Sequence, residues 1–198
     1  MNTEPFLEGH YYHIYNRGVN SEDIFKEEKN YHYFLEKYAF YCSDVLETLS
    51  YALLKNHFHI LVYVKENVLV PRRIGEGTIQ LNASKQLGHF FNSYAQSINR
   101  SYKRTGQLFE APFERKLVDN DNYITSVICY CHYNPQKHGF VKDFKDWDYT
   151  SYHSILENNK PFLASNKVLE WFGGRENFIK EHEARFNDEG LSNMIPFS

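Results

Sequence analysis

The chain predicts an α+β fold: an antiparallel sheet of ferredoxin-like (RRM-like) kind with helices packed on one face, followed by a helical C-terminal tail. Three observations carry this. Runs rich in aromatic and β-branched residues at 10–19, 48–54, 57–64 and 113–118 read as strands. Two segments with apolar residues at a period of 3.6 separate them as helices. The resulting order, β-α-β-β-α-β and then a further helix, suits a small sheet covered by helices.

The elements follow in turn. HYYHIYNRGV (10–19) is a strand entering a turn at Asn16-Arg17-Gly18. From Glu27 to Cys42, residues Tyr31, Phe34, Leu35, Tyr38 and Cys42 fall on one helical stripe. TLSYALL and HFHILVYV flank the polar pair Lys55-Asn56, which predicts a hairpin or two closely linked strands. Residues 66–82, with Pro71, Gly75 and Gly77, read as a loop or arm. A long helix over 83–103 carries Leu87, Phe90, Phe91, Tyr94, Ile98 and Tyr102 along one side and stops near Gly106. After the strand at 113–118, Asp119-Asn120-Asp121-Asn122 predicts a helix start. That helix is expected to run to His132 or Tyr133 and to be ended by Pro135. The tail holds Trp171-Phe172-Gly173-Gly174 and a charged helix from Arg175 to Phe186. The expected division is a domain over 1–155 and a helical extension over 156–198, packed on or beside it.

Composition narrows the function classes. The 198 residues are 42% hydrophobic and 24% charged, as in an ordinary globular protein. No apolar run approaches the roughly 18 residues of a membrane span, and the start shows no signal peptide, so a cytoplasmic protein without membrane partners is expected. Three cysteines (Cys42, Cys129, Cys131) make no disulfide framework. Cys129-x-Cys131-His132 lacks a second ligand pair at zinc-finger spacing. Net charge is −3, yet residues 65–116 hold nine Lys/Arg against four acids, leaving the remainder at −8. A chain that is acidic overall can still offer a basic face to a polyanion; a solvated helix is the plainer reading of the same charges.

Two short patterns carry chemistry. His57-Phe58-His59 lies in a strand, where i and i+2 share a face, so both imidazoles project together. Two imidazoles on one face can begin a divalent-metal site, or be two half-buried strand histidines. Tyr130 and Asn134, at i and i+4, share a face of the last predicted helix. An oriented tyrosine can be a covalent nucleophile, although core packing is the commoner use of a tyrosine.

The motifs together resemble a known family. Tyr12-His13-Ile14-Tyr15-Asn16-Arg17-Gly18, the run Tyr51 to Val62 containing Asn56-His57-Phe58-His59, Gly106-Gln107-Leu108-Phe109, Phe113-Glu114-Arg115, and Tyr130-x-x-x-Asn134-Pro135 with Gly139-Phe140-Val141 stand in order. In that order and spacing they resemble the HUH-type single-tyrosine transposases of single-stranded-DNA insertion sequences, in particular the REP-associated tyrosine transposases, over about residues 8–155. The resemblance implies a metal-dependent DNA strand-transfer enzyme. His57, His59 and Asn134 would hold a divalent ion, Mg²⁺ or Mn²⁺, and Tyr130 would form a 5′-phosphotyrosine link. The implied partner is single-stranded or hairpin DNA, handled by a monomer or homodimer. Lys55 replaces the proline usual before the histidine pair, which concerns loop shape. Candidate DNA contacts are Asn16, Arg17, Arg100, Lys103, Arg104, Arg115 and Lys116, with Tyr102 and Phe109 able to stack on bases or to pack in the core. Alternatives are a catalytically silent or regulatory nucleic-acid-binding protein on the same scaffold, and a rolling-circle-type initiator nuclease.

Overall fold

The computed structural model describes residues 6–72, 74, 76–110 and 112–185. Its elements are β1 (Tyr11–Arg17), α1 (Glu28–Cys42), β2 (Leu46–Leu54), β3 (His57–Val64), β4 (Leu69–Pro71), β5 (Thr78–Gln80), α2 (Ala83–Ser101), β6 (Glu114–Val118), α3 (Asp121–Lys137), α4 (Tyr152–Glu157), α5 (Ser165–Trp171) and α6 (Arg175–Arg185). The main sheet has the order β2-β3-β1-β6, antiparallel throughout. This is the split β-α-β arrangement that the pattern predicts.

Local chemistry explains the element ends. Asn30 caps α1 by accepting from the Glu27 backbone N–H, while the Glu27 side chain accepts from the Asn30 backbone. Asn82 caps α2 through Lys85 N–H. Leu54 pairs with His57, leaving Lys55-Asn56 as a two-residue hairpin turn that sets the register of the histidine strand. Gly18 donates to Asn56 O at 2.8 Å, and a Cβ there would meet Glu22 O at 2.1 Å, so only glycine fits beside this turn.

One face of the sheet makes a dry aromatic core with α1 and α2. Phe58 from β3 meets Phe34 of α1 at 5.2 Å and Phe91 of α2 at 5.6 Å, centroid to centroid. The predicted stripe of α2 is buried from Leu87 to Ile98. Each such side chain contributes about 1.5–3 kcal/mol by leaving water. Phe109 joins this core, and the Tyr102 hydroxyl bonds Glu27 at 2.6 Å, so both aromatics are engaged within the fold.

Three expectations need correction. The helices do not all pack on one face: α1 and α2 do, whereas α3 crosses the other, with Tyr130 beside His59 and Asn134 beside His57. The pattern period shows which residues share a helix face but not which side of a sheet the helix takes. Pro135 does not end α3, which continues to Lys137. The proline lacks an N–H to give, but it sits in the last turn, where His138 N–H still reaches Asn134 O at 3.0 Å. The expected arm at 66–82 contains a small hairpin, with Leu69 opposite Gln80 and Val70 opposite Ile79.

The tail lies along the outer edge of β2. Ser151 N–H bonds Tyr51 O, Ala164 N–H bonds Thr48 O, and Trp147 Nε1–H bonds Leu53 O. These contacts cover an edge that would otherwise offer unpaired backbone groups. Position 155/156 falls inside α4, and the predicted helix from Arg175 is described to Arg185, Phe186 lying outside the described residues. The three cysteines are buried and form no disulfide with one another. Among the described residues no helix is long and apolar enough to cross a membrane.

Candidate active site on the histidine face

Strand alternation builds the site. His57 and His59 project from β3 to one side while Phe58 enters the core on the other. Antiparallel pairing sets Arg17 opposite His57, Tyr15 opposite His59 and His13 opposite Leu61, all on the same face. On β6, Lys116 pairs with His13 and Glu114 with Tyr15. The helix α3 lays Tyr130 and Asn134 across this face, one turn apart.

The hydrogen bonding is incomplete in an informative way. His57 Nδ1 lies 2.7 Å from Asn56 Oδ1, and His57 Nε2 lies 3.2 Å from Asn134 Oδ1. Burial lowers the His57 pKa to about 4, with the Asn134 contact opposing, so the ring is neutral at pH 7 and carries one proton. One proton cannot serve two carbonyl oxygens. With it on Nδ1, the Nε2 lone pair faces the Asn134 oxygen with nothing between them. Two ligands of one six-coordinate ion, each about 2.1 Å from it, stand ~3 Å apart, which fits this pair. His59 Nε2 is buried with no hydrogen-bond partner, and His59 Nδ1 lies 3.0 Å from His13 Nε2. The donor set of two imidazoles and one amide oxygen therefore fits a divalent cation.

His13 is a residue the sequence reading missed. For His59 Nε2 to bind a metal, its proton must sit on Nδ1 and be donated to His13 Nε2, which turns the ring and fixes its tautomer. The signal was present: His13 shares strand parity with Tyr15 and Arg17, the residues facing the histidine pair. Burial first, and then Lys116, lower the His13 pKa to about 3, keeping it neutral as this role requires.

Tyr130 is 2% exposed, its ring edge-on to His59 and His13 at 5.5 and 6.3 Å. Burial raises its phenol to about 12, with the Asn134 amide opposing. Lys137 Nζ stands 5.3 Å from the ring centroid. A cavity of about 110 Å³ opens beside the pair, lined by Tyr15, Arg17, His57, His59, Glu114 and His138 among others. His138 is a second residue missed by the sequence reading, its ring 4.9 Å from that of His57.

The candidate DNA contacts are spread over several surfaces. Arg17 lines the cavity, and Lys116 lies on the histidine face, 5.3 Å from the Tyr123 ring centroid. Asn16 is held inside the fold, its amide donating to Glu110 O and accepting from Arg17 N–H. Arg115 stacks over Phe6 and Phe113 on the opposite face of the sheet from Lys116. Arg100, Lys103 and Arg104 cluster at the C-terminal end of α2, on the α1/α2 side, with Arg104 paired to Glu22 at 2.5 Å.

The two-histidine strand is thus faced by a tyrosine and an amide one helical turn apart. No family model matches the chain. A Haemophilus influenzae protein named as a candidate REP-associated tyrosine transposase is 29% identical over 107 residues, which are 54% of this chain and 59% of that protein. The match thus spans about three-fifths of that relative's length. The solved structure of a REP-associated tyrosine transposase bound to a REP hairpin superposes with a TM-score of 0.62 at 13% identity, over 82% of this chain and 88% of the other. In sequence and in fold, the chain is similar to the REP-associated tyrosine transposases.

Proposed function

We propose that this protein is a metal-dependent single-stranded-DNA endonuclease and strand transferase that cuts at hairpin-associated sites through a 5′-phosphotyrosine intermediate. The observation that supports it best is the donor set His57 Nε2, Asn134 Oδ1 and His59 Nε2, the last with no hydrogen-bond partner, gathered on the face that also holds Tyr130. His57, His59 and Asn134 would hold Mg²⁺ or Mn²⁺, the nitrogen ligands suiting Mn²⁺ better. Bound there, the ion supplies Lewis-acid polarisation of the scissile phosphate.

The chain's own groups do the rest. Tyr130 Oη attacks phosphorus, the bond from phosphorus to the 3′-oxygen breaks, and that oxygen leaves as a 3′-hydroxyl. The phenol surrenders its proton on the way, which burial makes costly. Since one phosphodiester replaces another, a second 3′-hydroxyl can reverse the step on a new strand without ATP. Arg17 at the cavity and Lys116 on the same face would meet the DNA backbone.

The test is a labelled single-stranded hairpin incubated with Mn²⁺ and resolved on a denaturing protein gel. A covalent band is expected that disappears without metal and in Tyr130→Phe, while Tyr130→Phe still binds the hairpin. A band that survives Tyr130→Phe moves the nucleophile to Tyr123 or Tyr133. The small exposure of Tyr130 favours a second reading, a silent binding module, and hairpin binding without any band would establish it.

A further inference from the structure

Behind the catalytic helix lies a second buried histidine pair that the chemistry above does not use. His132 of α3 and His182 of α6 are both fully buried, their rings stacked at 5.0 Å. Residues 130 and 134 each lie two positions from 132, about 200° around the helix. His132 therefore grips α3 on the side away from the site.

The proton positions along this chain of bonds are fixed. Phe178 O can only accept, so His182 Nδ1–H donates to it at 2.7 Å. His182 Nε2 must then accept from His132 Nδ1–H, also at 2.7 Å. His132 Nε2 accepts in turn from the Ser151 hydroxyl at 2.7 Å, and Ser151 Oγ accepts from Tyr51 N–H at 2.9 Å. A serine beside a histidine suggests a hydrolytic dyad. Ser151 is fully buried and both sides of its hydroxyl are spent inside the fold, so no substrate is served. The chain of bonds instead joins the tail, the catalytic helix and the second strand.

We infer that α6 is a positioning element of the active site: through His182 it pins α3 from behind, so that Tyr130 and Asn134 meet His57 and His59. Rotation or sliding of α3 breaks the His132 bonds on both sides and strands buried donors and acceptors. This makes the tail part of the catalytic apparatus without touching the reacting atoms. His182 and His132 are positioning residues. The inference rests on the proposed strand-transfer reading for its catalytic consequence alone.

The experiment compares the full chain with His182→Phe, which fills the space and removes the acceptor, and His182→Gln, whose amide oxygen can accept from His132. Adduct formation at saturating hairpin is expected to fall ~10- to 100-fold in His182→Phe, as for a slight misplacement of reacting groups. Hairpin affinity should stay within about twofold, and His182→Gln should recover most of the rate. All three proteins are assayed well below their melting temperatures. In parallel, backbone hydrogen exchange of α3 is expected to quicken in His182→Phe. Unchanged adduct rate per folded molecule, with only a lower melting temperature, overturns the inference. If the wild-type protein makes no adduct, the strand-transfer reading fails, and exchange still decides the pin: unaltered protection of α3 contradicts it.

Discussion

Two buried histidine pairs flank one helix, and they are built differently. In His132–His182 every ring nitrogen has a partner. In His13–His59 the two outer nitrogens, His13 Nδ1 and His59 Nε2, have none. Burial is the same and the chemistry is the same, so the difference lies in what each pair is completed by. The satisfied pair is finished by the fold and holds elements together. The unsatisfied one leaves a costly buried lone pair that a bound cation would complete.

The largest expected effect comes from exchanging each pair member for a hydrophobe. His132→Leu leaves His182 Nε2 and the Ser151 hydroxyl unpaired and should lower stability by about 3 kcal/mol in a urea titration. His59→Leu removes one orphaned nitrogen but leaves His13 Nε2 without its donor, so it should cost less, about 1–2 kcal/mol, while abolishing metal binding. Equal losses in the two variants would erase the distinction.

Acid should weaken both pairs. Burial depresses His13 to about 3 and His57 to about 4, and takes His59 and His132 well below 6.5. The unfolded chain then binds more protons than the folded one below pH 6.5. Stability from these groups is complete above that pH and is lost as pH falls through it. The expected loss is about 1.4 kcal/mol per pH unit for each buried histidine, read from thermal melts between pH 7 and pH 5. Saturating Mn²⁺ should raise the melting temperature at pH 7 in the wild type and not in His59→Leu.

The smallest effect separates cations on the histidine face from cations elsewhere. Lys116→Ala should reduce the slope of log affinity against log salt for hairpin DNA by about 1. Arg104→Ala should leave the slope unchanged, because Arg104 is already paired with Glu22. The reverse ranking would place the DNA path along α2.

Much of this arrangement was legible in the residues. Alternation in HFHILVYV put both histidines on one face, and the i to i+4 spacing put Tyr130 with Asn134. Helical stripes located α1 and most of α2. Three things were not legible. The side of the sheet taken by α3 depends on packing that no local period encodes. The tail pin joins residues 50 apart, and each of its members is an ordinary polar residue by itself. The basic residues grouped in sequence by 100–116 separate in space, since Arg115 and Lys116 alternate across the sheet and Arg104 turns back to Glu22.

The central claim is that His57 Nε2, His59 Nε2 and Asn134 Oδ1, facing Tyr130, form a cation site. The most direct measurement is an electron-paramagnetic-resonance titration of the full chain with Mn²⁺, with hairpin DNA present, in the wild type, His13→Phe and Asn134→Leu. The account predicts one bound Mn²⁺ per wild-type chain, about 10- to 100-fold weaker binding in His13→Phe, and loss of the site in Asn134→Leu. Equal binding in all three, or none in the wild type, would contradict it.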